Sequence, residues 1–326
     1  SSFDLQITSY LATFEDKTQR LTIDDILTDR AQYKFNAHHD DNLRFGLTNS
    51  HYWLRFSITN PHPDDQSLVL SISDNRLENI EFYEYKAGQL YHQSSGALTK
   101  YKAQGSQLQA YPFLIKIEAK KNQTYFIKLH SESAINSIVR LQSNDQFLQS
   151  QQFDFSILGM ALGWVIATAA FFIFIWHFYR FRIALISALY CLCIFVFIPS
   201  WQGQWAIWFP QSQGWKNEIT LISIMAASIL QIILAIKLDW SPDNSRNIKR
   251  CLKALLTFNA AATLIYLFMP SGAMSLLTLS TVIISNIALI FILLFAKSEH
   301  ERAQFFLLIG HTVTAFGILL SILTTH

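Results

Sequence analysis

Cysteine and charge are both scarce in this chain. It has three cysteines in 326 residues, and only 15% of its residues are charged, against about 25% in soluble globular proteins. All three cysteines, Cys191, Cys193 and Cys251, lie in the second half of the sequence. The first half therefore cannot depend on a disulfide framework. The Cys191/Cys193 pair lies within an apolar run, which favours packing residues over a metal site.

The missing charge is confined to the second half. Residues 1–155 contain 15 basic and 18 acidic side chains, whereas residues 156–326 contain 10 and 5. The basic residues form no single patch, which argues against nucleic acid as a partner. No nucleophile elbow, P-loop or acid/base pair occurs, so we expect no catalytic residue, no metal, no cofactor and no enzymatic activity in these residues. The change in composition predicts two domains, residues 1–150 and 151–326.

Long apolar runs fill the second domain. A helix needs roughly 20 apolar residues to cross a bilayer, and these runs show no polar stripe of helical period. The predicted spans are Phe155 to Tyr179, Ile183 to Ile198, Ile219 to Leu238, Leu252 to Met269, Ala273 to Ala296, and Ala303 to Leu323.

The loops between these spans predict the orientation. Nine basic residues flank the connections after the first, third and fifth spans, and Lys216 is the only one in the other connections. Basic loops stay in the cytoplasm, so the first domain is expected outside. The sequence starts at Ser1 without a methionine or an apolar leader, and we therefore expect that a signal peptide has been removed.

Two glycines in the first span have the G-x-x-x-G spacing. Gly159 and Gly163 would let another helix approach closely. The partner could be a helix of the same bundle or a second copy of the chain in a homodimer, and the sequence leaves both open. The polar residues within the spans are Gln231, Asn259, Asn286 and His311, and they are better interpreted as interhelical hydrogen-bonding groups than as ion ligands.

The first domain alternates apolar and polar residues in short runs separated by turn signals. This pattern predicts an all-β sandwich or jelly roll, and a short helix is expected from Leu21 to Leu27, opened by Thr22. In the run Tyr52–Thr59, one face carries Leu54 and Phe56, and the other carries Trp53 and Arg55.

We expect Trp53 to be exposed as a stacking platform and Arg55 to donate to a carboxylate or sugar. The competing interpretation is that this second face is covered by another layer. The candidate ligand-binding residues are Trp53, Arg55, Arg76, Tyr83 and His130.

Several stretches together resemble bacterial seven-transmembrane receptors with diverse intracellular signalling modules (7TMR-DISM). They are Tyr10–Asp16, Leu21–Asp25, Phe45–Ser50, Tyr52–Phe56, Thr59–Pro61 and Arg76–Tyr83, with Gly159 and Gly163 at the start of the first span. The resemblance implies a periplasmic jelly roll similar to carbohydrate-binding modules and a membrane region of seven helices in a Gram-negative inner membrane. It also implies a cytoplasmic output module, most often a diguanylate cyclase, next a histidine kinase. Six spans are present, so a seventh is expected beyond residue 326.

A receptor for a small periplasmic ligand, either a carbohydrate or a carboxylate, is therefore the leading function. Two alternatives stay open at this point. One is a transporter or permease accessory protein whose first domain captures a substrate. The other is an envelope protein that binds without signalling. The lack of charged residues deep in the spans argues against transport.

Overall fold

The computed structural model describes residues 3–28, 33–46, 48, 50–73, 77–86, 89–96, 110–131, 135–202, 204, 216–237, 242–266 and 271–295. The chain forms two compact units, and the boundary of the first lies after Ile157. The first unit is all-β apart from a short helix and the start of a long one. The second is helical.

Within the described residues, twelve strands build the first unit. They are β1 (Asp4–Gln6), β2 (Ala12–Asp16), β3 (Asn36–Ala37), β4 (Leu43–Gly46), β5 (His51–Thr59), β6 (Gln66–Ile72), β7 (Asn79–Lys86), β8 (Gln89–Ser95), β9 (Tyr111–Ile117), β10 (Asn122–His130), β11 (Ile135–Ser137) and β12 (Val139–Gln142). Helix α1 (Ile23–Thr28) lies between β2 and β3. The strands and the helix that the sequence predicts in this half are all confirmed.

The strands form two main antiparallel sheets. One has the order β1-β12-β6-β9, and the other has the order β3-β2-β5-β10-β7-β8, while β4 and β11 make a small third sheet. Between the main sheets lies one apolar core, to which both contribute alternate residues. Phe82 of the six-stranded sheet stacks on Phe113 of the four-stranded sheet, with ring centroids 5.2 Å apart. The predicted sandwich is therefore confirmed.

In the part of the second half that the structure describes, five helices follow in chain order. They are α2 (Asn144–Tyr179), α3 (Arg182–Trp201), α4 (Lys216–Lys237), α5 (Pro242–Tyr266) and α6 (Ser271–Phe295). Within the described residues, α2, α3, α4 and α6 are long and apolar enough to cross a membrane. The fourth predicted span falls in the second half of α5, whose first half is charged. The sixth, Ala303 to Leu323, lies outside the described residues.

Gly159 and Gly163 lie on an exposed face of α2. A Cβ atom built on either glycine would meet no described atom within 4 Å. Among the described residues, no helix packs closely against either glycine, and packing against a helix of the same bundle stays a prediction. A seam between two copies of the chain stays a prediction.

Candidate functional site

The candidate site lies on the outer face of the six-stranded sheet, which we define as the face opposite the sandwich core. Strand register places Lys128 beside Trp53 and Phe126 beside Arg55, and Tyr83 beside Phe126. Side chains alternate between the two faces of a strand. Trp53, Arg55, Tyr83 and His130 therefore share the outer face, as the sequence predicts.

Trp53 is not exposed there, and this part of the prediction is wrong. Its side chain is 0% exposed, because described residues between β2 and β3 pack over it. Ile23 and Ile26 of α1 form a second apolar cluster with Trp53, Tyr83 and Phe126. Such a covered indole cannot serve as a stacking platform for a ligand.

Tyr83 is buried beside Trp53. The two rings stack with centroids 5.8 Å apart, and the Tyr83 hydroxyl donates a hydrogen bond of 2.6 Å to the Glu81 carboxylate. Burial raises the pKa of Tyr83 above its ordinary value, and the hydrogen bond to Glu81 raises it further. The phenol therefore stays protonated, and its ring packs in the apolar cluster that the sheet forms with α1.

Beside the covering segment, part of the outer face stays open. A cleft of about 270 Å³ is lined by Ile26, Phe35, Arg55, Ser57, Thr124 and Phe126. Phe35 and Phe126 form an apolar wall, with ring centroids 6.3 Å apart. Ligand cavities commonly start at roughly 300 Å³, so this cleft suits a ligand no larger than a monosaccharide.

Arg55 supplies the cationic group of the cleft. Its side chain is exposed, and its Cζ atom lies 4.7 Å from the centroid of the Phe35 ring. A guanidinium held flat against an aromatic ring keeps its N–H groups free to donate at its edges. Across the strands, the hydroxyls of Ser57 and Thr124 share a hydrogen bond of 2.8 Å and provide further polar atoms. The cleft can thus bind a carboxylate or vicinal hydroxyls.

His130 lies away from this cleft, at the end of the outer face beyond Trp53. Its ring packs edge-on against His51, with centroids 4.7 Å apart, and the Nδ1 atoms of both rings are buried without a hydrogen-bond partner. Burial lowers the pKa of His51, and the charges of Lys128 and His130 lower it further. The structure therefore separates two predicted site residues, because Arg55 lines the cleft and His130 does not.

Two family models match the chain in tandem. The model described as 7TMR-DISM extracellular 2 matches residues 8–143. The model described as 7TM diverse intracellular signalling matches residues 154–326, more than half of the chain.

The chain belongs to the 7TMR-DISM family.

Among curated proteins, no match to the chain was found. Membership of the 7TMR-DISM family makes the chain a transmembrane receptor whose β-sandwich is its extracellular sensor domain. Both matched regions are sensor or membrane regions of a receptor and are not catalytic. The cleft beside Arg55 is therefore a feature of the domain that a 7TMR-DISM receptor uses for sensing.

Sequence reasoning missed five of the six residues that line the cleft. Ser57 is one of them, although it lies two residues after Arg55 on the same face of β5. Thr124 and Phe126 lie an even number of residues before His130 on β10, so all three share one face of the strand. This spacing is the sequence signal that could have identified Thr124 and Phe126. Ile26 and Phe35 belong to the covering segment, whose position over the sheet leaves no mark in the strand pattern. Arg76, the remaining candidate, lies outside the described residues.

Proposed function

We propose that this receptor binds a small carbohydrate or carboxylate in the cleft beside Arg55. In this proposal the sandwich faces the periplasm of a Gram-negative bacterium and the helices lie in its inner membrane. Ligand binding is passed through the helices to a cytoplasmic output module, a diguanylate cyclase first and a histidine kinase second.

The observation that carries the proposal is the exposed guanidinium of Arg55, held over Phe35 at the edge of the cleft. Within the described residues, no carboxylate forms an ion pair with Arg55. A planar guanidinium binds a carboxylate through two parallel hydrogen bonds. An anionic ligand would therefore meet a donor whose orientation is already set.

The other residues that line the cleft indicate which class of ligand fits it. Half-buried Phe35 offers apolar surface to C–H groups, with the nearly fully buried Ile26 and Phe126 behind it, and Ser57 and Thr124 offer hydroxyls. A sugar acid combines these chemistries, since it carries a carboxylate, hydroxyls and an apolar ring face in the volume of one monosaccharide. We place sugar acids first, small dicarboxylates second and neutral monosaccharides third.

A ligand panel tests the proposal on the intact chain in detergent. The shift in melting temperature is measured with sugar acids, dicarboxylates and neutral monosaccharides, and affinities follow by calorimetry. Replacing Arg55→Ala should weaken binding of the best acidic ligand by about tenfold or more, because a charge-assisted hydrogen bond is worth roughly 1.5–3 kcal/mol.

Arg44→Ala is the matched control, since Arg44 is an exposed arginine on β4 and does not line the cleft. The control should bind as the native chain does. Full affinity in Arg55→Ala, or equal losses in both variants, would place the ligand elsewhere.

A further inference from the structure

The interface shared by α4, α5 and α6 is apolar at one end and polar in its middle and at its other end. Four-residue connections, 238–241 and 267–270, join α4 to α5 and α5 to α6, so neighbouring helices run in opposite directions. Near the α4–α5 connection the interface is an apolar cluster. Its fully or nearly fully buried members are Ile232, Ala235, Leu252, Leu289 and Leu293.

A polar layer follows in the middle of the three helices, and its groups are paired. Ser228 Oγ donates to Asn259 Oδ1 at 3.0 Å. Asn259 Nδ2 donates to Ser285 Oγ at 2.7 Å and to the Leu255 carbonyl at 2.9 Å. Each helix contributes one side chain, so this layer fixes the register between all three helices.

Toward the other end, the register places three further polar side chains at the same end of the bundle. Tyr266 lies seven residues after Asn259 and Thr278 lies seven before Ser285, about 10 Å along each axis at 1.5 Å per residue. Glu218 precedes Ser228 by ten residues, about 15 Å along α4. The Glu218 carboxylate is close enough to act electrostatically on the Tyr266 phenol.

Each of these three side chains has an unpartnered polar atom; Tyr266 and Thr278 are buried, and Glu218 is half-buried. Tyr266 is 3% and Thr278 is 2% exposed. Tyr266 Oη, Thr278 Oγ1 and Glu218 Oε2 are all shielded from solvent and make no hydrogen bond. Gln204, which follows α3 and is also buried, has an unpartnered amide as well. Buried polar atoms are nearly always paired with protein, water or an ion, whereas here several at one end of a bundle are not.

The charge of the Glu218 carboxylate determines which kind of ligand can bind at this end of the bundle. A shielded carboxylate oxygen without a hydrogen-bond donor is unfavourable unless a positive charge compensates it. Among the described residues, no cation forms an ion pair with Glu218. The unpartnered oxygens at this end belong to one carboxylate and two hydroxyl groups. Hard cations prefer oxygen ligands of this kind, and the single negative charge is balanced by a single positive charge.

We propose that Glu218, Tyr266 and Thr278 form a binding site for an alkali metal cation at the end of the bundle where α5 and α6 are joined. The sequence places this end on the outer side of the membrane, because its connections carry one basic residue against nine on the other side. The site tethers α4, α5 and α6 beyond their polar middle layer, and it is independent of the cleft in the extracellular domain.

The test uses the intact chain in detergent, with Na⁺ titrated against choline at constant chloride and ionic strength. The melting temperature is followed by tryptophan fluorescence. A bound cation stabilises the folded state by mass action, so the melting temperature should rise with Na⁺ and continue to rise with its logarithm above the dissociation constant. Glu218→Gln should raise the Na⁺ concentration needed for a given shift by about tenfold or more, since it removes the charged ligand.

Two milder variants keep the test valid if Glu218→Gln does not fold. Thr278→Val and Tyr266→Phe each remove one hydroxyl and should weaken the Na⁺ response, whereas Thr278→Ser should retain it. Thr257→Val on the exposed face of α5 and Glu15→Gln on β2 are the matched controls and should respond as the native chain does.

Equal stabilisation by choline and Na⁺ would overturn the proposal. So would an unchanged Na⁺ response in Glu218→Gln, or in both hydroxyl variants. A response to Ca²⁺ without one to Na⁺ or K⁺ would overturn the assignment to an alkali cation.

Discussion

At the scale of single residues, Trp53 and Arg55 share one face of β5 but have opposite environments. Trp53 is covered by α1, whereas Arg55 is exposed at the cleft. Trp53→Ala should therefore lower the free energy of unfolding by about 3–5 kcal/mol, and Leu54→Ala in the sandwich core by about 2–5 kcal/mol. Arg55→Ala should change it by less than about 0.5 kcal/mol.

Urea unfolding of the extracellular domain, residues 1–150, measures all three variants. The comparison separates a structural indole from a ligand-contacting one. A Trp53→Ala domain as stable as Arg55→Ala would show that α1 does not cover the sheet in solution.

The sequence predicts which face of β5 these residues lie on, but it does not predict whether they are exposed to solvent. Alternation along Tyr52–Thr59 assigns Leu54 to the core and Trp53 to the outer face without further information. Whether that outer face meets water depends on residues 21–35, which are distant in sequence and carry no period-2 pattern. A tryptophan beside an arginine therefore resembled a binding platform, although only the arginine borders the cleft.

His51 predicts a pH dependence of stability. The charged and titratable groups that act on it are Lys128, His130, Asp16 and Glu81, and burial is the largest influence on its lowered pKa. The folded state therefore favours the neutral imidazole. As pH falls below about 6.5 the unfolded chain binds a proton that the folded chain does not, and the free energy of unfolding decreases by up to about 1.4 kcal/mol per pH unit.

Urea unfolding of residues 1–150 should be measured between about pH 7.5 and pH 5, which brackets the ordinary pKa of histidine. The free energy of unfolding should be lower at the acidic end of this range. His51→Gln should flatten the profile, whereas His62→Gln in an exposed turn should not. If His51→Gln lost as much free energy of unfolding at acidic pH as the native domain, groups other than His51 would cause the pH dependence.

At the scale of elements, α1 forms one wall of the cleft through Ile26, and its N-terminus is capped. The Thr22 amide donates to Asp25 Oδ2 at 2.8 Å, and the Asp25 amide donates back to Thr22 Oγ1 at 3.4 Å. Thr22→Ala should destabilise the helix by about 0.5–2 kcal/mol. Amide hydrogen exchange of Ile23–Thr28 in the intact chain should accelerate accordingly.

Thr28→Ala, at the exposed end of the same helix, is the control and should leave that exchange nearly unchanged. Equal protection in Thr22→Ala and the native chain would mean that packing on Trp53 alone holds α1 in place.

The elements differ in how much of them the sequence reveals. β9 alternates strictly because one of its faces lies in the core. β5 and β10 follow the same alternation except where Trp53 and Phe126 are covered on the outer face, and turn residues bound all three strands. β8 was not predicted, since it is an edge strand with six of its seven residues exposed and has no apolar alternation. Helix α5 starts ten residues before the predicted span. Its first half is charged, so hydropathy, which detects only apolar runs, does not show that this part of the chain is helical.

At the scale of the whole molecule, the extracellular domain should fold without its helices. Its apolar core is formed by residues of both sheets within one unit, and a chain of about 150 residues buries roughly two-thirds of its surface. Residues 1–150 should be soluble and give a strand-rich circular-dichroism spectrum with a cooperative thermal transition. A disordered or helical spectrum would contradict the prediction.

The orientation of the receptor follows from the distribution of positive charge between its connections. Nine basic residues flank the connections after the first, third and fifth predicted spans, and such loops stay in the cytoplasm. Arg180, in the turn between α2 and α3, and Asn244, at the start of α5, should therefore be cytoplasmic, as should Glu299. Ser1 should be outside.

Single cysteines at these four positions test the orientation, in a background that lacks Cys191, Cys193 and Cys251. A membrane-impermeant maleimide should label the cysteine at Ser1 in intact cells, and the other three only after the inner membrane is opened. Labelling at Asn244 in intact cells would invert the bundle. The proposed cation site would then face the cytoplasm, where K⁺ would replace Na⁺ as the cation to test first.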